Sequence, residues 1–321
     1  MNLIYRTACL GLIVGFVSCS DKSKETTESD MKAAWLEDTE VLEDSNEVGD
    51  FNESNEGLSE VEVVEEHSEP VNLENRPLFD GTYKGWYIVT AGTKPELGKK
   101  IFSIENGKVH VFNDSWPDEI DLDHKKGPTR AMMITKKSYE KFHLKFEYKW
   151  GKRKANNFDG WQYNAGVYYH ITKPKIYPSG IEYQLHYLPE KNRTRSGDMI
   201  RPAGQNYDWY FNPKSNQYLH PSEGGVLYTG QESYDVNDWR HTAVITDDAH
   251  GLNDKWNKCE IIAMGSQYAI HKLNGKVVNM AFNINPGSGQ IGLQAETAEV
   301  YYRNIEIKEF AETFPAEDFL K

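Results

Sequence analysis

Three polar residues at alternate positions stand out in residues 180–188, which read Gly-Ile-Glu-Tyr-Gln-Leu-His-Tyr-Leu. In a strand, successive side chains point to opposite faces, so the odd-numbered residues can fill a core. Glu182, Gln184 and His186 then share the other face at steps of about 6.6 Å. A carboxylate, an amide and an imidazole on one face could supply a general base, a ligand for hydroxyl groups and a proton shuttle. The alternative is an ordinary solvated strand face.

A second strand of similar character is predicted over residues 164–171, Asn-Ala-Gly-Val-Tyr-Tyr-His-Ile. Alternation directs Val167 and Tyr169 toward the core and places Tyr168 and His170 on the opposite face. A glycine inside a strand, here at position 166, often marks a bulge or the close approach of a ligand. If this strand pairs with the first one, His170 and Glu182 would face one pocket. Taken alone, His170 could equally be a polar residue satisfied within the fold.

A third cluster of interest is acidic and covers residues 118–124, Asp-Glu-Ile-Asp-Leu-Asp-His. It resembles the Glu-x-Asp-x-Glu run of laminarinase-type glycosidases, in which Glu119 and Asp123 would be the paired carboxyl groups. Trp-Pro before the run and Lys-Lys-Gly after it favour a surface loop instead. As a third alternative, Asp118, Asp121 and Asp123 could bind a hard divalent cation, Ca²⁺ or Mg²⁺, through oxygen ligands.

Aromatic residues in irregular, polar stretches form a further set of candidates. Such side chains offer flat apolar platforms that suit the faces of sugar rings and of other planar ligands. The set comprises Trp161, Tyr163, Trp209, Tyr210 and Tyr218.

Composition limits the partners that the protein can have. The chain holds 49 acidic and 36 basic residues, for a formal net charge of −13. This balance argues against nucleic acid as a partner, because nothing suggests a basic surface that could displace counterions from phosphate. The sequence also has no nucleotide-binding glycine loop, zinc motif or nucleophile elbow.

The pattern that must position these residues is β throughout residues 76–321. Residues 142–150 alternate without interruption between apolar and polar side chains, which is typical of a half-buried antiparallel strand. Asn274-Gly275 between two such segments predicts a tight hairpin. We therefore expect an all-β domain, a jelly-roll sandwich of two antiparallel sheets. Residues 189–224 look like a long insertion between strands, and such insertions are often functional.

The N-terminal part of the chain has a different character. Residues 1–19 combine Arg6, a short apolar run and Ser-Cys, which predicts a secretory signal that ends at a lipoprotein cleavage site with acylation of Cys19. An ordinary signal peptide cleaved nearby is the alternative. Residues 20–75 contain 19 acidic and three basic residues, a composition that favours a disordered, self-repelling tether between a membrane and the domain.

With these residues in place, the chain resembles the 3-keto-disaccharide hydrolase family, in the form of a Bacteroidetes-type lipoprotein. No single motif is specific, but their order and spacing together are. The motifs are Leu-Phe-Asp-Gly at 78–81 with Gly-Trp at 85–86, Phe-Ser-Ile-Glu-Asn-Gly-Lys-Val at 102–109, residues 133–148, Asn-Ala-Gly-Val-Tyr-Tyr at 164–169, Gly-Ile-Glu-Tyr-Gln at 180–184, Gly-Val-Leu-Tyr at 225–228, Leu-Asn-Gly at 273–275, Gly-Gln-Ile-Gly-Leu-Gln at 289–294 and Tyr-Arg-Asn-Ile at 302–305.

The resemblance implies a concanavalin-like jelly roll that acts on 3-keto sugars. Removal of the proton at C2 would be followed by elimination of the C1 substituent and hydration of the product. Glu182 would be the base, or a ligand to a divalent cation, and His170 would hold or protonate the substrate. Substrate contacts would come from Asn164, Gln184, His186, Trp161 and Tyr168.

The N-terminal segment and the resemblance together predict a setting for the protein. Acylation of Cys19 would anchor the domain in the cell envelope, at the outer membrane or in the periplasm. The resemblance implies a sugar oxidoreductase as the partner that makes the 3-keto substrate. Two other functions fit the same residues: a laminarinase-type glycosidase that uses Glu119 and Asp123, and a surface glycan-binding lipoprotein without catalysis.

Overall fold

The computed structural model describes residues 73–90, 97–116, 130–155, 163–200, 205–230 and 240–321. All of them belong to one unit of the chain, Ser54–Lys321. The expected signal segment with Cys19, and residues 20–72 of the expected tether, lie outside the described residues. The described residues contain no helix with the length and apolar character needed to cross a membrane.

Within these ranges the chain is built almost entirely of strands. One short helix, α1 (Gly98–Ile101), and three 3₁₀ turns (Pro189–Lys191, Pro221–Glu223 and Ala316–Asp318) accompany them. The strands in chain order are β1 (Arg76–Pro77), β2 (Trp86–Thr90), β3 (Phe102–Glu105), β4 (Lys108–Val111), β5 (Ala131–Tyr139), β6 (Lys141–Lys154), β7 (Tyr163–Lys173), β8 (Ser179–Leu188), β9 (Arg193–Thr194), β10 (Met199–Ile200), β11 (Asn206–Asn212), β12 (Gln217–Tyr218), β13 (Val226–Leu227), β14 (Arg240–His241), β15 (Asn257–Met264), β16 (Tyr268–Leu273), β17 (Lys276–Asn285), β18 (Gly289–Ala295) and β19 (Ala298–Glu309).

These strands form two antiparallel sheets, as the sequence predicts. The first sheet has the order β12-β11-β17-β16-β15-β6-β19-β4-β3, with β1 beside β19 and β13 beside β11. The second has the order β14-β10-β8-β7-β18-β5-β2, with β9 beside β8. Because β5, β6, β7, β18 and β19 alternate between the sheets, the chain crosses repeatedly from one to the other, which gives a jelly-roll sandwich.

The core lies between the two sheets and follows the period of two. In β6, Phe142, Leu144, Phe146, Tyr148 and Trp150 are all buried, and the residues between them are more exposed. The second sheet contributes the odd-numbered residues 163–169 of β7 and 181–187 of β8 to the same core cluster. Burial of one face of each sheet therefore determines which side chains remain available on the other face.

Two local expectations have different outcomes. Asn274 and Gly275 join β16 to β17 with φ values of 49° and 83°, which confirms the predicted tight hairpin. The segment 189–224, expected to be an insertion between strands, instead adds β9 and β10 to the second sheet and β11 and β12 to the first. The reason is that Asn206–Asn212 itself alternates, with Tyr207, Trp209 and Phe211 buried and the residues between them more exposed.

Candidate functional site

The polar residues of β7 and β8 share the face of the second sheet that points away from the core. The two strands are antiparallel neighbours, with Tyr168 opposite Glu182 and Asn164 opposite His186. Residues directly opposite one another project to the same side of a sheet. This confirms both the facing of Glu182, Gln184 and His186 and the assumed pairing of the two strands. We call this surface the polar face, with the members Asn164, Tyr168, Glu182, Gln184, His186, Gln294 and Glu296.

The polar face is buried, so the interpretation as a solvated strand face is wrong. Glu182 is 4% exposed and His186 is 2% exposed. A charged or polar side chain at that depth needs partners or a shift in its protonation equilibrium. The state of each member is therefore set by its neighbours.

Glu182 is the acidic group at the centre of the polar face. Its Oε2 accepts a hydrogen bond of 2.6 Å from the Tyr168 hydroxyl. Burial raises the pKa of Glu182 well above its usual value, the Tyr168 hydrogen bond acts in the opposite direction, and the negative charges of Glu296 and Asp198 add to the rise. A raised pKa brings a carboxyl group closer to the range in which it can both accept and release a proton near neutral pH.

Gly166 provides the space that Glu182 occupies. A Cβ at position 166 would lie 2.2 Å from Glu182 Oε1 and 2.8 Å from its Cδ. The carboxyl group therefore lies directly over the backbone of β7, where only glycine leaves room for it. The glycine noted in the sequence marks this close approach rather than a bulge at its own position.

Asn164 and Gln184 form a chain of hydrogen bonds that ends at a second acidic residue, Glu296. Gln184 Nε2 donates to Asn164 Oδ1 and to the carbonyl oxygens of Ala165 and Leu185, at 2.9 and 3.2 Å. Asn164 Nδ2 donates to Glu296 Oε2 at 2.5 Å. Since the Nε2 group of Gln184 donates to acceptors within the protein, its Oε1 is the atom that remains for a substrate hydroxyl.

Gln294 on β18 is a member of the polar face that the sequence analysis did not single out. Gly292 lies opposite Tyr168 and Leu293 opposite Val167, so Gln294 projects to the same side as Gly166. It is 2% exposed, and its Oε1 accepts no hydrogen bond from the described residues. An acceptor buried in this way calls for a donor such as a substrate hydroxyl. The alternation of residues 289–294 could have placed Gln294 on one face of its strand. The sequence gives no sign that this strand pairs with β7.

His186 is uncharged at neutral pH. Burial lowers its pKa well below the usual value, and the positive charges of Arg195, Arg240 and Arg193 lower it further. A neutral imidazole can donate one hydrogen bond and accept another but carries no proton to spare. His186 therefore fits a substrate contact better than an acid.

The expectation that His170 faces the same pocket as Glu182 is wrong. Tyr169 and His170 together lie opposite the single residue Ile291, because the register between β7 and β18 shifts at this point. His170 has a φ of 53°, and its ring packs edge-on against Phe142 and Tyr169 in the core. This bulge turns His170 inward, where burial lowers its pKa to about 4. Alternation of residue types alone does not predict this change in the facing of His170.

Several expected aromatic platforms are core residues instead. Trp209 is 1% exposed and Tyr218 is 6% exposed. The Trp209 ring stacks on His241 at a centroid distance of 4.5 Å, and its Nε1 donates to Asn279 Oδ1 at 2.8 Å. They are buried because the strands β11 and β12 join the first sheet. Trp161 lies outside the described residues.

The structure leaves the metal prediction open. Among the described residues, no group of three or more His, Cys, Asp or Glu side chains is placed to hold a metal ion. Glu182 therefore belongs to no such group among these residues. The other candidate ligands, Asp118, Asp121 and Asp123, lie outside the described residues together with Glu119 of the expected carboxyl pair.

Comparisons with known proteins give one match of sequence and several of structure. Residues 74–308 match the sequence profile of the family described as the 3-keto-alpha-glucoside-1,2-lyase-like domain, which confirms the resemblance drawn from the motifs. No curated protein matches the chain.

Three solved structures illustrate the structural matches. A candidate glycosyl hydrolase of Parabacteroides distasonis is 18% identical, with 74% of this chain and 94% of that chain covered and a TM-score of 0.40. The carbohydrate binding module CBM66 of Bacillus subtilis is 11% identical, with 70% and 96% covered and a TM-score of 0.40. The beta-glucanase of Bacillus licheniformis is 10% identical, with 75% and 100% covered and a TM-score of 0.41.

Proposed function

The chain belongs to the 3-keto-α-glucoside-1,2-lyase-like domain family, and from this membership and the polar face we propose that it cleaves 3-keto-glucosides. The family itself implies a carbohydrate-active role. Glu182 carries the finer proposal, because it is a buried carboxyl group with a raised pKa, held by Tyr168 and surrounded by amides that suit sugar hydroxyls.

The proposed reaction begins with removal of a proton. A ketone at C3 of the sugar acidifies the hydrogen on C2, since the resulting enolate spreads its charge onto the ketone oxygen. Glu182 in its ionised form accepts that proton. The C1–oxygen bond then breaks, its electron pair leaves with the glycosidic oxygen, and that oxygen takes up a proton. Water subsequently adds hydroxyl to C1 and hydrogen to C2 of the unsaturated product.

The other members of the polar face have positioning roles in this proposal. Tyr168 fixes one carboxyl oxygen of Glu182 through the 2.6 Å hydrogen bond, which leaves Oε1 above Gly166 as the atom for the C2 proton. Gln184 Oε1 and Gln294 Oε1 are acceptors for sugar hydroxyls. Burial of the face keeps water away from the enolate and strengthens each of these contacts.

The test is release of the aglycone from matched glucosides in native and 3-keto form. We expect release from the 3-keto form alone. Nuclear magnetic resonance identifies the product, and each reaction is run with and without EDTA to detect a requirement for a metal. Release from the native glucoside would support a hydrolytic glycosidase that uses Glu119 and Asp123. Binding of both sugars without turnover of either would support a glycan-binding module and contradict the proposal.

The pH dependence of this reaction follows from Glu182. Since the base must be ionised, kcat/KM should fall as the pH drops through the raised pKa of Glu182, above the usual carboxyl value of 4.5. The Tyr168 hydrogen bond lowers that pKa, so Tyr168→Phe should move the acid limb to higher pH while the alkaline plateau changes less. Tyr87→Phe is the matched control, because the Tyr87 hydroxyl donates to Gln290 on the same sheet. An acid limb that stays in place in Tyr168→Phe would contradict the assignment.

We also propose that the protein is lipid-anchored in the cell envelope and receives its 3-keto substrate from a sugar oxidoreductase. The support for the lipid anchor is the sequence of residues 1–19, which ends at Cys19. The oxidoreductase is inferred from the proposed 3-keto substrate. Radiolabelled fatty acid should be incorporated by the full chain and not by Cys19→Ser. Equal labelling of both proteins would refute the anchor.

A further inference from the structure

Asp198 is a buried acidic residue on the same side of the second sheet as Glu182. It immediately precedes β10, whose Met199 lies opposite Tyr183 in β8. Met199 belongs to the core cluster, so alternation directs Asp198 to the opposite side, which is that of the polar face. The backbone N–H of Gln184 donates to the Asp198 carbonyl oxygen at 3.0 Å. Asp198 is therefore a diagonal neighbour of Glu182, with Cα atoms about 7–8 Å apart.

One oxygen of the Asp198 carboxyl group is held by the protein and the other is not. Oδ1 accepts a hydrogen bond of 2.8 Å from the backbone N–H of Ala243. Oδ2 accepts none from the described residues, although Asp198 is only 1% exposed. A buried carboxyl oxygen without a donor costs free energy unless it is protonated or meets a ligand. Oδ2 is therefore placed to exchange a hydrogen bond or a proton with a ligand of the polar face.

The other ionisable groups near Glu182 are less suited to this role. Both carboxyl oxygens of Glu296 accept hydrogen bonds, at 2.5 and 3.0 Å. Burial holds the pKa of His186 well below its usual value, so that this imidazole has no proton to give. The ring of His170 lies in the core against Phe142. Of these groups, Asp198 is the one that can act as a proton donor beside Glu182.

The environment of Asp198 and Glu182 favours a proton shared by the pair. Burial raises the pKa of Asp198, and the positive charges of Arg195, Arg240 and Arg193 act in the opposite direction. Burial raises the pKa of Glu182 as well, and the negative charge of Asp198 contributes to that rise. Two neighbouring buried carboxyl groups tend to hold one proton between them. One member is then a base while the other is an acid.

We propose that Asp198 is a second catalytic residue, which protonates the glycosidic oxygen as it leaves and then activates the water that adds to C1. This inference rests on the proposed function. In the elimination, Glu182 takes the proton from C2. The C1–oxygen bond breaks with its electron pair on oxygen, and Asp198 gives its proton to that oxygen. The proton of the pair then lies on Glu182.

The hydration step restores the starting state of the pair. Asp198 removes a proton from water as the water oxygen bonds to C1. The electrons of the C1–C2 double bond move toward the C3 ketone and then form the new C2–H bond with the proton that Glu182 returns. The proton of the pair lies on Asp198 again. Protons therefore balance over the whole cycle without another acid or base.

The test compares two leaving groups in Asp198→Asn. Asparagine keeps the size of the side chain and can accept the Ala243 N–H through its Oδ1. On methyl 3-keto-glucoside, whose methoxide needs a proton to leave, kcat/KM should fall about 50-fold, since the amide can still donate a hydrogen bond but not a proton. On 4-nitrophenyl 3-keto-glucoside, whose nitrophenolate leaves without a proton, the fall should be less than about fivefold. Equal losses on the two substrates would overturn the inference, because a structural fault affects both alike.

The product of the nitrophenyl substrate provides a second measurement. The wild-type protein should release the hydrated 3-keto sugar. Asp198→Asn should accumulate the unsaturated elimination product, seen by nuclear magnetic resonance, because its hydration lacks the base. Hydration at the wild-type rate in Asp198→Asn would contradict the role of Asp198 in that step.

A matched control makes the same change elsewhere in the fold. Asp208→Asn alters a half-buried carboxylate of the first sheet, whose Oδ2 accepts from Asn283 Nδ2 at 2.6 Å, and it should retain activity on both substrates. Wild-type protein that turns over no 3-keto-glucoside would refute the proposed function and this inference with it. Wild-type turnover with the same ratio of the two substrates in Asp198→Asn would refute this inference alone.

Discussion

Glu182→Gln is expected to lower kcat/KM on a 3-keto-glucoside by about 10² to 10⁴-fold, the range that a positioned general base contributes. Glutamine keeps the size of the side chain and can still accept the 2.6 Å hydrogen bond from Tyr168, but it cannot take up the proton from C2. The measurement is the initial rate of aglycone release against substrate concentration. Turnover equal to that of the wild-type protein would remove Glu182 from the mechanism.

Stability separates this loss of activity from a loss of structure. A raised pKa means that the folded protein binds the Glu182 proton more tightly than the unfolded chain does. The free energy of unfolding therefore decreases as the pH rises from the unfolded value through the folded one. Glutamine does not ionise, so Glu182→Gln should be as stable as the wild type or more stable at pH 8 in urea unfolding. Glu306→Gln, which alters a carboxylate on the first sheet bonded to Asn75, is the control and should retain activity.

Gly166→Ala is expected to have the second-largest effect, although it adds only a methyl group. The new Cβ would lie 2.2 Å from Glu182 Oε1, so the carboxyl group must move off β7. A misplacement of about 1 Å at a reacting group can cost on the order of 10²-fold in rate. We expect a loss of that size in kcat/KM, measured with the same 3-keto-glucoside.

Gly292→Ala is the matched control for this substitution. Gly292 lies on the neighbouring strand of the same sheet, opposite Tyr168. A Cβ there meets the far ends of two flexible side chains, Met132 Cε at 2.7 Å and Ile171 Cδ1 at 3.0 Å. Those atoms can shift without moving Glu182. Equal activity of Gly166→Ala and the wild type would show that the position of the carboxyl group over Gly166 is not needed for catalysis.

The pairing of β7 with β8 illustrates what a single sequence leaves undetermined. Alternation predicts that Tyr168 shares a face with other residues of its own strand, but it carries no information about the neighbouring strand. Gln294 shows this most clearly, since it reaches the polar face from β18, more than a hundred residues after Glu182 in the chain. Arg240 likewise lies on the same side of the sheet as Glu182, although it belongs to β14, which is connected to β8 only through β10.

His170 shows a second limit, which is local rather than long-range. One extra residue in a strand reverses the facing of every residue beyond it. The bulge at Tyr169 and His170 has no signature in residue types that alternation could detect. The bulge depends on how β18 packs beside β7. At Gly289 the two backbones lie so close that a Cβ there would meet the His170 backbone.

Patterns along the chain were enough to predict the strand periodicity, the facing of Glu182, Gln184 and His186, the tight hairpin at Asn274-Gly275 and, through ordered motifs, the family. These follow from contacts between residues close in the chain or from patterns along it. Four features required the folded chain: the polar face is buried, Gly166 makes room for Glu182, His186 is neutral and His170 turns inward. Burial and pKa depend on the atoms that surround a group in space, and most of those atoms come from strands far away in the sequence.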